Sequence, residues 1–191
     1  ALKKKGFEEP SPIQEKTIPI LLNESCDLIG QAQTGTGKTA AFGIPIIEKI
    51  DTREKSIQAM ILTPTRELAI QVSEEINSLK GRKNIHIMPV YGGQSIDQQI
   101  RRLKRGIHVV VGTPGRVIDL INRKCLDLSM IRYFILDEAD EMLNMGFIED
   151  VETIFENTSE MKQVLLFSAT MPNRILSLAK KYMNDYQTIA I

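Results

Sequence analysis

Short apolar runs alternate along this chain with longer stretches in which apolar residues recur at helical spacing. A short apolar run is typical of a buried strand, whereas a period of about 3.6 residues is typical of a helix. The alternation favours an α/β fold with a mostly parallel central sheet and helices on both faces. We expect strands near Asp27–Gln31, Ala59–Thr63, His86–Tyr91, His108–Gly112, Tyr133–Asp137 and Val164–Ser168, with a last one close to Thr188–Ile191. Helices are expected near Ile13–Leu22, Lys38–Ile50, Glu67–Leu79, Ile96–Leu103, Gly115–Ile121, Phe147–Asn157 and Asn173–Met183.

Polar segments, many of them containing Gly or Pro, directly follow most of these predicted strands. In a parallel sheet the carboxyl ends of the strands lie along one edge, and ligands bind in the crevice outside that edge. The sequence therefore predicts one working surface, made of the segments Thr63–Arg66, Tyr91–Gln94, Gly112–Arg116, Asp137–Asp140 and Ser168–Thr170.

The length and composition are those of one soluble globular domain. The chain has 191 residues, 42% hydrophobic and 25% charged, which is enough for a single substantial core. No apolar stretch approaches the roughly 20 residues of a membrane span, and the first residues are too polar and basic for a secretory signal. Cys26 and Cys125 lack metal-site spacing, so we expect both to be reduced in a cytoplasmic protein with no membrane partner. His86 and His108 are interpreted as structural.

The formal net charge is zero, from 24 basic and 24 acidic residues. Bulk charge therefore does not indicate a nucleic-acid partner, and any contact with phosphates must come from a local patch. The basic runs Lys3–Lys5 and Arg101–Arg105 are candidates for such a patch. For either run alone, a solvated helix face is the favoured interpretation.

A phosphate-binding loop is predicted at Thr34–Thr39, between a strand and a helix. Glycines in such a loop let backbone N–H groups surround phosphate oxygens, and the next helix directs its positive N-terminus at the same point. Lys38 would reach the β- and γ-phosphates, and the hydroxyl of Thr39 would bind Mg²⁺. One departure is Ala32, where the general pattern has Gly; the alternative is a simple turn at a helix start.

The acidic residues Asp137 and Glu138 end another predicted strand and complement this loop. One carboxylate, Asp137, would hold Mg²⁺ through water, because Mg²⁺ keeps much of its hydration shell. The neighbouring Glu138 would orient or deprotonate the attacking water. The alternative is that acidic residues merely favour a helix N-terminus. With Lys38, these residues predict a chain that binds and hydrolyses ATP.

Six segments resemble, in order, the motifs of DEAD-box RNA helicases, and the resemblance extends from Gly6 to the C-terminus. It implies that residues 1–191 form the N-terminal RecA-like, ATP-binding domain, and that Ala32 is the usual residue of this family's loop. It also implies a second RecA-like domain outside this chain, whose arginines complete the catalytic site. We expect this chain alone to be a poor ATPase. The segments are Ala32–Thr39, Pro64–Ala69, Gly92–Gly93, Thr113–Arg116, Asp137–Asp140 and Ser168–Thr170.

The resemblance also assigns an adenine-binding role to the segment Gly6–Gln14. Phe7 would stack on the base and Gln14 would bond its edge. The same residues also predict a helix start in which Ser11 is the N-cap and Gln14 completes a capping box, so Gln14 could serve both roles only by changing partners. The complete set of implied nucleotide contacts is Phe7, Gln14, Ala32, Gln33, Thr34, Gly35, Thr36, Gly37, Lys38 and Thr39.

Three further motifs imply RNA contacts that hold the sugar-phosphate backbone with little dependence on sequence. Taken singly, each could be an ordinary strand-to-helix turn. The implied contacts are Pro64, Thr65, Arg66, Gly92, Gly93, Thr113, Pro114, Gly115 and Arg116.

The last motif is implied to couple the two sites. Ser168 and Thr170 would hydrogen-bond toward Asp140 and so link the ATP site to the RNA surface.

The favoured function is that of an ATP-dependent RNA helicase acting with Mg²⁺, with RNA-processing or ribosome-assembly proteins as possible partners. Two alternatives remain open. One is a DNA helicase or translocase of the same superfamily, and the other is a nucleotide-dependent RNA clamp that does not unwind.

Overall fold

A single seven-stranded sheet forms the centre of the protein, and the computed structural model describes all 191 residues. Each neighbouring pair of strands is parallel. The strands are β1 (Leu28–Gln31), β2 (Ala59–Leu62), β3 (Ile87–Val90), β4 (Val109–Gly112), β5 (Tyr133–Leu136), β6 (Gln163–Ser168) and β7 (Gln187–Ala190). Their order across the sheet is β3-β4-β2-β5-β6-β1-β7. The predicted strands, including the last one, are confirmed.

Eight α-helices and one short 3-10 turn, Lys3–Lys5, surround the sheet. The seven predicted helices are present within a few residues of their expected ends. An eighth, the six-residue α6, was not predicted; it lies between Glu138 and Gly146, which both have positive φ. The helices are α1 (Pro12–Asn23), α2 (Lys38–Lys49), α3 (Arg66–Leu79), α4 (Ile96–Leu103), α5 (Pro114–Asn122), α6 (Ala139–Asn144), α7 (Ile148–Glu156) and α8 (Asn173–Tyr182).

The sheet separates two hydrophobic cores, because successive residues of a strand point to opposite faces. In β5, Ile135 packs in the core formed with α1, α2 and α3, whereas Phe134 and Leu136 pack in the core formed with α5 to α8. Apolar residues on both faces explain why the strands read as continuous hydrophobic runs. No helix in the structure is long and apolar enough to cross a membrane.

Two polar side chains hold the amino-terminal ends of the strands. The carboxylate of Asp27 accepts the N–H groups of Val164 and Asn184, at 2.8 Å each, and so joins the start of β1 to β6 and to the loop before β7. His108 accepts the N–H of His86 at Nδ1 (2.9 Å), and burial, followed by the neighbouring His86, lowers the pKa of His108. These contacts support the structural interpretation of both histidines.

Candidate functional site

A cleft of about 360 Å³ lies at the carboxyl edge of the sheet, between the loop after β1, the end of β5 and one side of α3. Nine of the predicted nucleotide-site and catalytic residues line it: Phe7, Gln14, Thr34, Gly35, Gly37, Lys38, Thr39, Asp137 and Glu138. Three others, Ala32, Gln33 and Thr36, do not. The cleft wall also contains residues that the sequence analysis missed, namely Ala40, Leu68, Gln71, Val72 and Glu75.

The loop between β1 and α2 has the backbone shape that its glycines predict. Gly35 and Gly37 have φ values of +80° and +87°, a region that residues with a Cβ atom rarely occupy. The hydroxyl of Thr36 donates to the carbonyl of Gln33 (2.7 Å) and closes the turn. The N–H of Ala32 is already used, because it donates to the carbonyl of Ser168 (3.1 Å). Helix α2 then begins at Lys38, so its N-terminal N–H groups face the cleft.

Gln14 forms the capping box that the sequence allowed. Its Oε1 accepts the N–H of Ser11 (3.0 Å), and its Nε2 donates to the carbonyl of Gly37 (3.2 Å). The hydroxyl of Ser11 donates to the carbonyl of Thr36 (2.7 Å). The start of α1 is therefore bonded to the phosphate-type loop at two points. Each group of the amide has one partner and keeps one further N–H or lone pair, so adenine contact by Gln14 stays a prediction that is compatible with both bonds.

Lys38 and Asp137 form the floor of the cleft. Both side chains are buried, and the Nζ of Lys38 lies 4.0 Å from the Oδ1 of Asp137, too far for a hydrogen bond. Neither of these two atoms has a hydrogen-bond partner. Burial raises the pKa of Asp137 to about 6, an effect that the positive charge of Lys38 opposes and the negative charge of Glu138 reinforces.

Glu138 lies at the wall of the cleft with a left-handed backbone, φ 53° and ψ 53°. For a residue with a Cβ atom this conformation costs about 1–2 kcal/mol. Such strain persists where the surrounding structure imposes it, and it is common at active sites. The turn separates the side chains of Asp137 and Glu138, so that the first is buried and the second is partly exposed.

The segment after β6 is bonded to the segment after β5. The hydroxyl of Ser168 accepts the N–H of Asp140 (3.0 Å), while the hydroxyl and N–H of Thr170 both donate to the Oδ2 of Asp140 (2.9 and 3.1 Å). Burial raises the pKa of Asp140, but the hydrogen bonds from Thr170 and Ser168 outweigh burial and the net pKa is lowered. These are the hydrogen bonds that the sequence analysis expected, whereas the coupling role itself stays a prediction.

A second surface lies at the ends of β2, β3 and β4, where the RNA contacts were expected. The guanidinium of Arg66 lies 4.9 Å from the ring centre of Tyr91, and the glycines that follow Tyr91 are exposed. Thr65 caps α3 by accepting the N–H of Leu68 (3.2 Å). Pro114 begins α5, and Gly115 is exposed beside it. These segments therefore form ordinary strand-to-helix turns, which was the alternative interpretation. They also leave the guanidinium of Arg66 and the backbone of the exposed glycines at the surface.

Arg116 is fixed by a residue that the sequence analysis did not single out. Its Nη1 donates to the Oε1 of Gln99 (3.0 Å) and to the carbonyl of Gln94 (3.1 Å). Gln99 is buried, and its Nε2 donates to the carbonyl of Tyr91 (3.1 Å). The segments after β3 and β4 are therefore joined, and the only sequence signal was a polar residue on the inner face of α4.

The strand order assigns the two surfaces to different parts of the edge. The cleft lies at the ends of β5, β6 and β1, and the Arg66–Arg116 surface lies at the ends of β3, β4 and β2. The basic run Arg101–Arg105 lies on neither of these two surfaces. Helix α4 begins near Gln94, at the carboxyl edge of the sheet, and its last turn, which contains this run, lies toward the opposite edge. Of the run Lys3–Lys5, Lys5 binds the carboxylate of Glu75 at the cleft wall (2.6 Å).

Known proteins match this chain over nearly its full length. It is 58% identical over 189 residues to a probable ATP-dependent RNA helicase of Methanocaldococcus jannaschii, covering 99% of this chain and 51% of that protein. It is 55% identical to the DEAD-box ATP-dependent RNA helicase CshA of Geobacillus kaustophilus, covering 100% of this chain and 41% of that protein. The chain thus spans about half the length of the curated relatives it matches.

Solved structures give the same result. The crystal structure of a DEAD box protein from Methanococcus jannaschii matches with a TM-score of 0.96 and 58% identity, over 99% of this chain and 52% of that one. A hypothetical ATP-dependent RNA helicase from Sulfolobus tokodaii matches with a TM-score of 0.91 and 38% identity, over 100% of this chain and 55% of that one. The model of the DEAD/DEAH box helicase family matches residues 11–178. The chain therefore belongs to the DEAD/DEAH box helicase family.

Proposed function

We propose that this chain is the nucleotide-binding half of an ATP-dependent RNA helicase that binds ATP with Mg²⁺ and holds single-stranded RNA by its backbone. The relatives named as ATP-dependent RNA helicases support this proposal. The observation that carries it is the buried pair formed by Lys38 and Asp137, whose facing atoms lack partners at the floor of the cleft. A buried polar group without a partner costs about 1–3 kcal/mol, so its retention indicates a ligand.

The residues present fit a triphosphate. The N-terminus of α2 and the left-handed glycines of the preceding loop direct N–H groups into the cleft, and Lys38 adds a buried positive charge. Phe7 lies at the cleft wall, where its ring is available for stacking on a base.

The residues also fit Mg²⁺. The Oδ1 of Asp137 is an oxygen ligand without a competing donor, and the hydroxyl of Thr39 lines the same cleft. Proteins usually hold Mg²⁺ by one or two carboxylates together with substrate phosphates and water, so a single buried carboxylate suits this ion. Mg²⁺ would neutralise charge on the phosphates, and Glu138 would orient the attacking water and accept its proton.

Arg66 and Arg116 are the candidates for gripping RNA phosphates, since both guanidinium groups lie at the end of the sheet next to exposed backbone. The bond network of Ser168, Thr170 and Asp140 joins the segments after β5 and β6, on the cleft's part of the sheet edge, and is the proposed coupling element. We further assign the missing transition-state arginines to a second RecA-like domain of the same protein. The two free thiols fit a reducing, cytoplasmic location.

RNA-stimulated ATP hydrolysis of the full-length protein tests the proposal. We expect Glu138→Gln to lower kcat by about 100-fold or more with little change in KM, because it removes the base and keeps the shape. Glu141→Gln, an exposed acid in α6, is the matched control. Normal turnover by Glu138→Gln would refute the assignment. Equal stimulation by DNA would favour a translocase, and RNA retention in ATP without turnover would favour a clamp.

A further inference from the structure

A second small cavity lies at the opposite, amino-terminal edge of the sheet. Its volume is about 190 Å³, and its wall is mixed, with polar groups from Lys55, Ser56 and Asp127. The hydrophobic part of the wall comes from Ile57, Leu103, Ile107, Cys125 and Met130. These residues precede β2, β4 and β5 or end α4, so the length of the strands separates this cavity from the cleft. Sites for small-molecule ligands are larger, about 300–1,000 Å³, and this one suits a single inserted side chain.

One positively charged side chain lines the cavity, and three more are chain neighbours of its lining residues. Lys55 lines it, Lys104 and Arg105 follow Leu103 along the chain, and Lys124 precedes Cys125. None of these four cations takes part in an ion pair in the structure. The one carboxylate in the wall, that of Asp127, already accepts the N–H of Ser129 (2.9 Å). In a chain of zero net charge, this is a local excess of unpaired positive charge.

We propose that this surface binds an acidic peptide segment of a partner protein, which inserts one apolar side chain into the cavity and places its carboxylates against Lys55, Lys104, Arg105 and Lys124. Two properties favour a peptide over RNA. Five of the eight residues that line the cavity are hydrophobic, which phosphates do not require, and Met130 at its rim is 60% exposed, as an adaptable side chain at a binding surface is. The inference goes beyond the proposed function, because it concerns neither ATP nor RNA.

A random peptide library displayed on phage supplies the probe. We expect the full-length protein to enrich peptides in which one apolar residue is flanked by Asp or Glu. Binding of a synthetic copy of an enriched peptide should weaken at least tenfold, about 1.4 kcal/mol, in the double variant Lys104→Glu with Arg105→Glu. Met130→Asp should weaken it similarly. All three positions are exposed, so the fold should tolerate the changes.

Matched controls change equally exposed residues elsewhere. Lys16→Glu with Lys180→Glu reverses the same amount of charge, and Met161→Asp changes a methionine that is 91% exposed. Both should leave peptide affinity unchanged. Failure to enrich acidic peptides, or equal binding by the Lys104/Arg105 variant, would overturn the proposal. So would a tenfold loss of oligouridine affinity in that variant at fixed salt, because the surface would then belong to the RNA track.

Discussion

The Nζ of Lys38 and the Oδ1 of Asp137 face each other across 4.0 Å in the interior, and neither has a hydrogen-bond partner. At this distance the two charges attract, but each has lost its water without gaining a bond. The site is therefore prepared for a ligand at the expense of the stability of the fold.

This arrangement predicts that Asp137→Asn stabilises the protein while abolishing its activity. The pKa of Asp137 is about 6 in the folded state against an ordinary 3.8, so the folded state holds the proton more tightly than the unfolded state. Ionisation therefore destabilises the fold, with no effect below about pH 4 and a full effect above about pH 6. We expect the variant to gain up to about 3 kcal/mol in free energy of unfolding at about pH 8.

Denaturant titrations of both proteins between about pH 4 and pH 8 measure this difference. The difference in free energy of unfolding between variant and wild type should vanish as the pH falls. The control Asp119→Asn changes a more exposed carboxylate and should show no comparable difference. A variant less stable than wild type at high pH would contradict the prediction.

The left-handed backbone of Glu138 predicts an unusual order of stability. Glu138→Gly should be more stable than Glu138→Ala by about 1 kcal/mol, because Gly tolerates this conformation. At Glu141, which is helical, the order should reverse, since Gly costs about 1 kcal/mol relative to Ala in a helix. Thermal unfolding of the four variants measures both differences. The same order at both positions would show that Glu138 is not strained.

Gly37 and Gly35 offer a second comparison. Both have positive φ, but a Cβ atom on Gly37 would overlap the amide nitrogen of Gln14, whereas one on Gly35 would meet nothing within 4 Å. Gly37→Ala should therefore impair ATP affinity and stability more than Gly35→Ala. Isothermal titration with a non-hydrolysable ATP analogue measures the first effect. Equal losses would mean that the contact with Gln14 is not important.

Arg66→Ala should weaken binding to oligouridine and reduce the slope of log K against log salt concentration by about one unit, if the side chain neutralises one phosphate. The guanidinium rests on Tyr91 at the predicted RNA surface. Arg53→Ala removes an exposed arginine on a loop away from that surface and serves as the control. Fluorescence anisotropy at several salt concentrations measures both, and an unchanged salt slope for Arg66→Ala would count against binding of a phosphate by this residue.

Ser168→Ala combined with Thr170→Ala should lower RNA unwinding by the full-length protein more than it lowers ATP affinity. The change removes two hydroxyls that bond to Asp140 and leaves the cleft residues in place. Ser177→Ala, which removes an exposed hydroxyl from α8, is the control. If ATP affinity and unwinding fall in proportion, the segment only supports the fold.

Residue patterns predicted most of this structure because the strands are short, apolar and separated by turn residues. The phosphate-type loop was predictable because its backbone conformation requires glycines, and Gly35 and Gly37 provide them. The acidic strand end was predictable because carboxylates directly follow an apolar run. Helix α6 was not, since six residues give no measurable period and its start depends on the left-handed Glu138. Local patterns also cannot show packing between distant elements.

That second limit explains the missed residues. Leu68, Gln71, Val72 and Glu75 line the cleft because α3 packs beside α2, a contact between segments that no local pattern encodes. The two hydrogen bonds of Gln14 illustrate the same limit. The sequence allowed Gln14 to be either a helix cap or a ligand contact. Only the position of Gly37 in the folded chain shows that the amide nitrogen of Gln14 donates a second hydrogen bond.

Strand β6 separates β1 from β5, so the loop and the acidic residues are two strand spacings apart, roughly 9–10 Å. Lys38 stands seven residues after β1, at the start of α2, and its flexible four-carbon stem still carries its Nζ to 4.0 Å from Asp137. A shorter side chain at position 38 would leave its charge farther from Asp137 than this distance. The length of the side chain at position 38 therefore sets how closely a positive charge approaches the acidic end of β5.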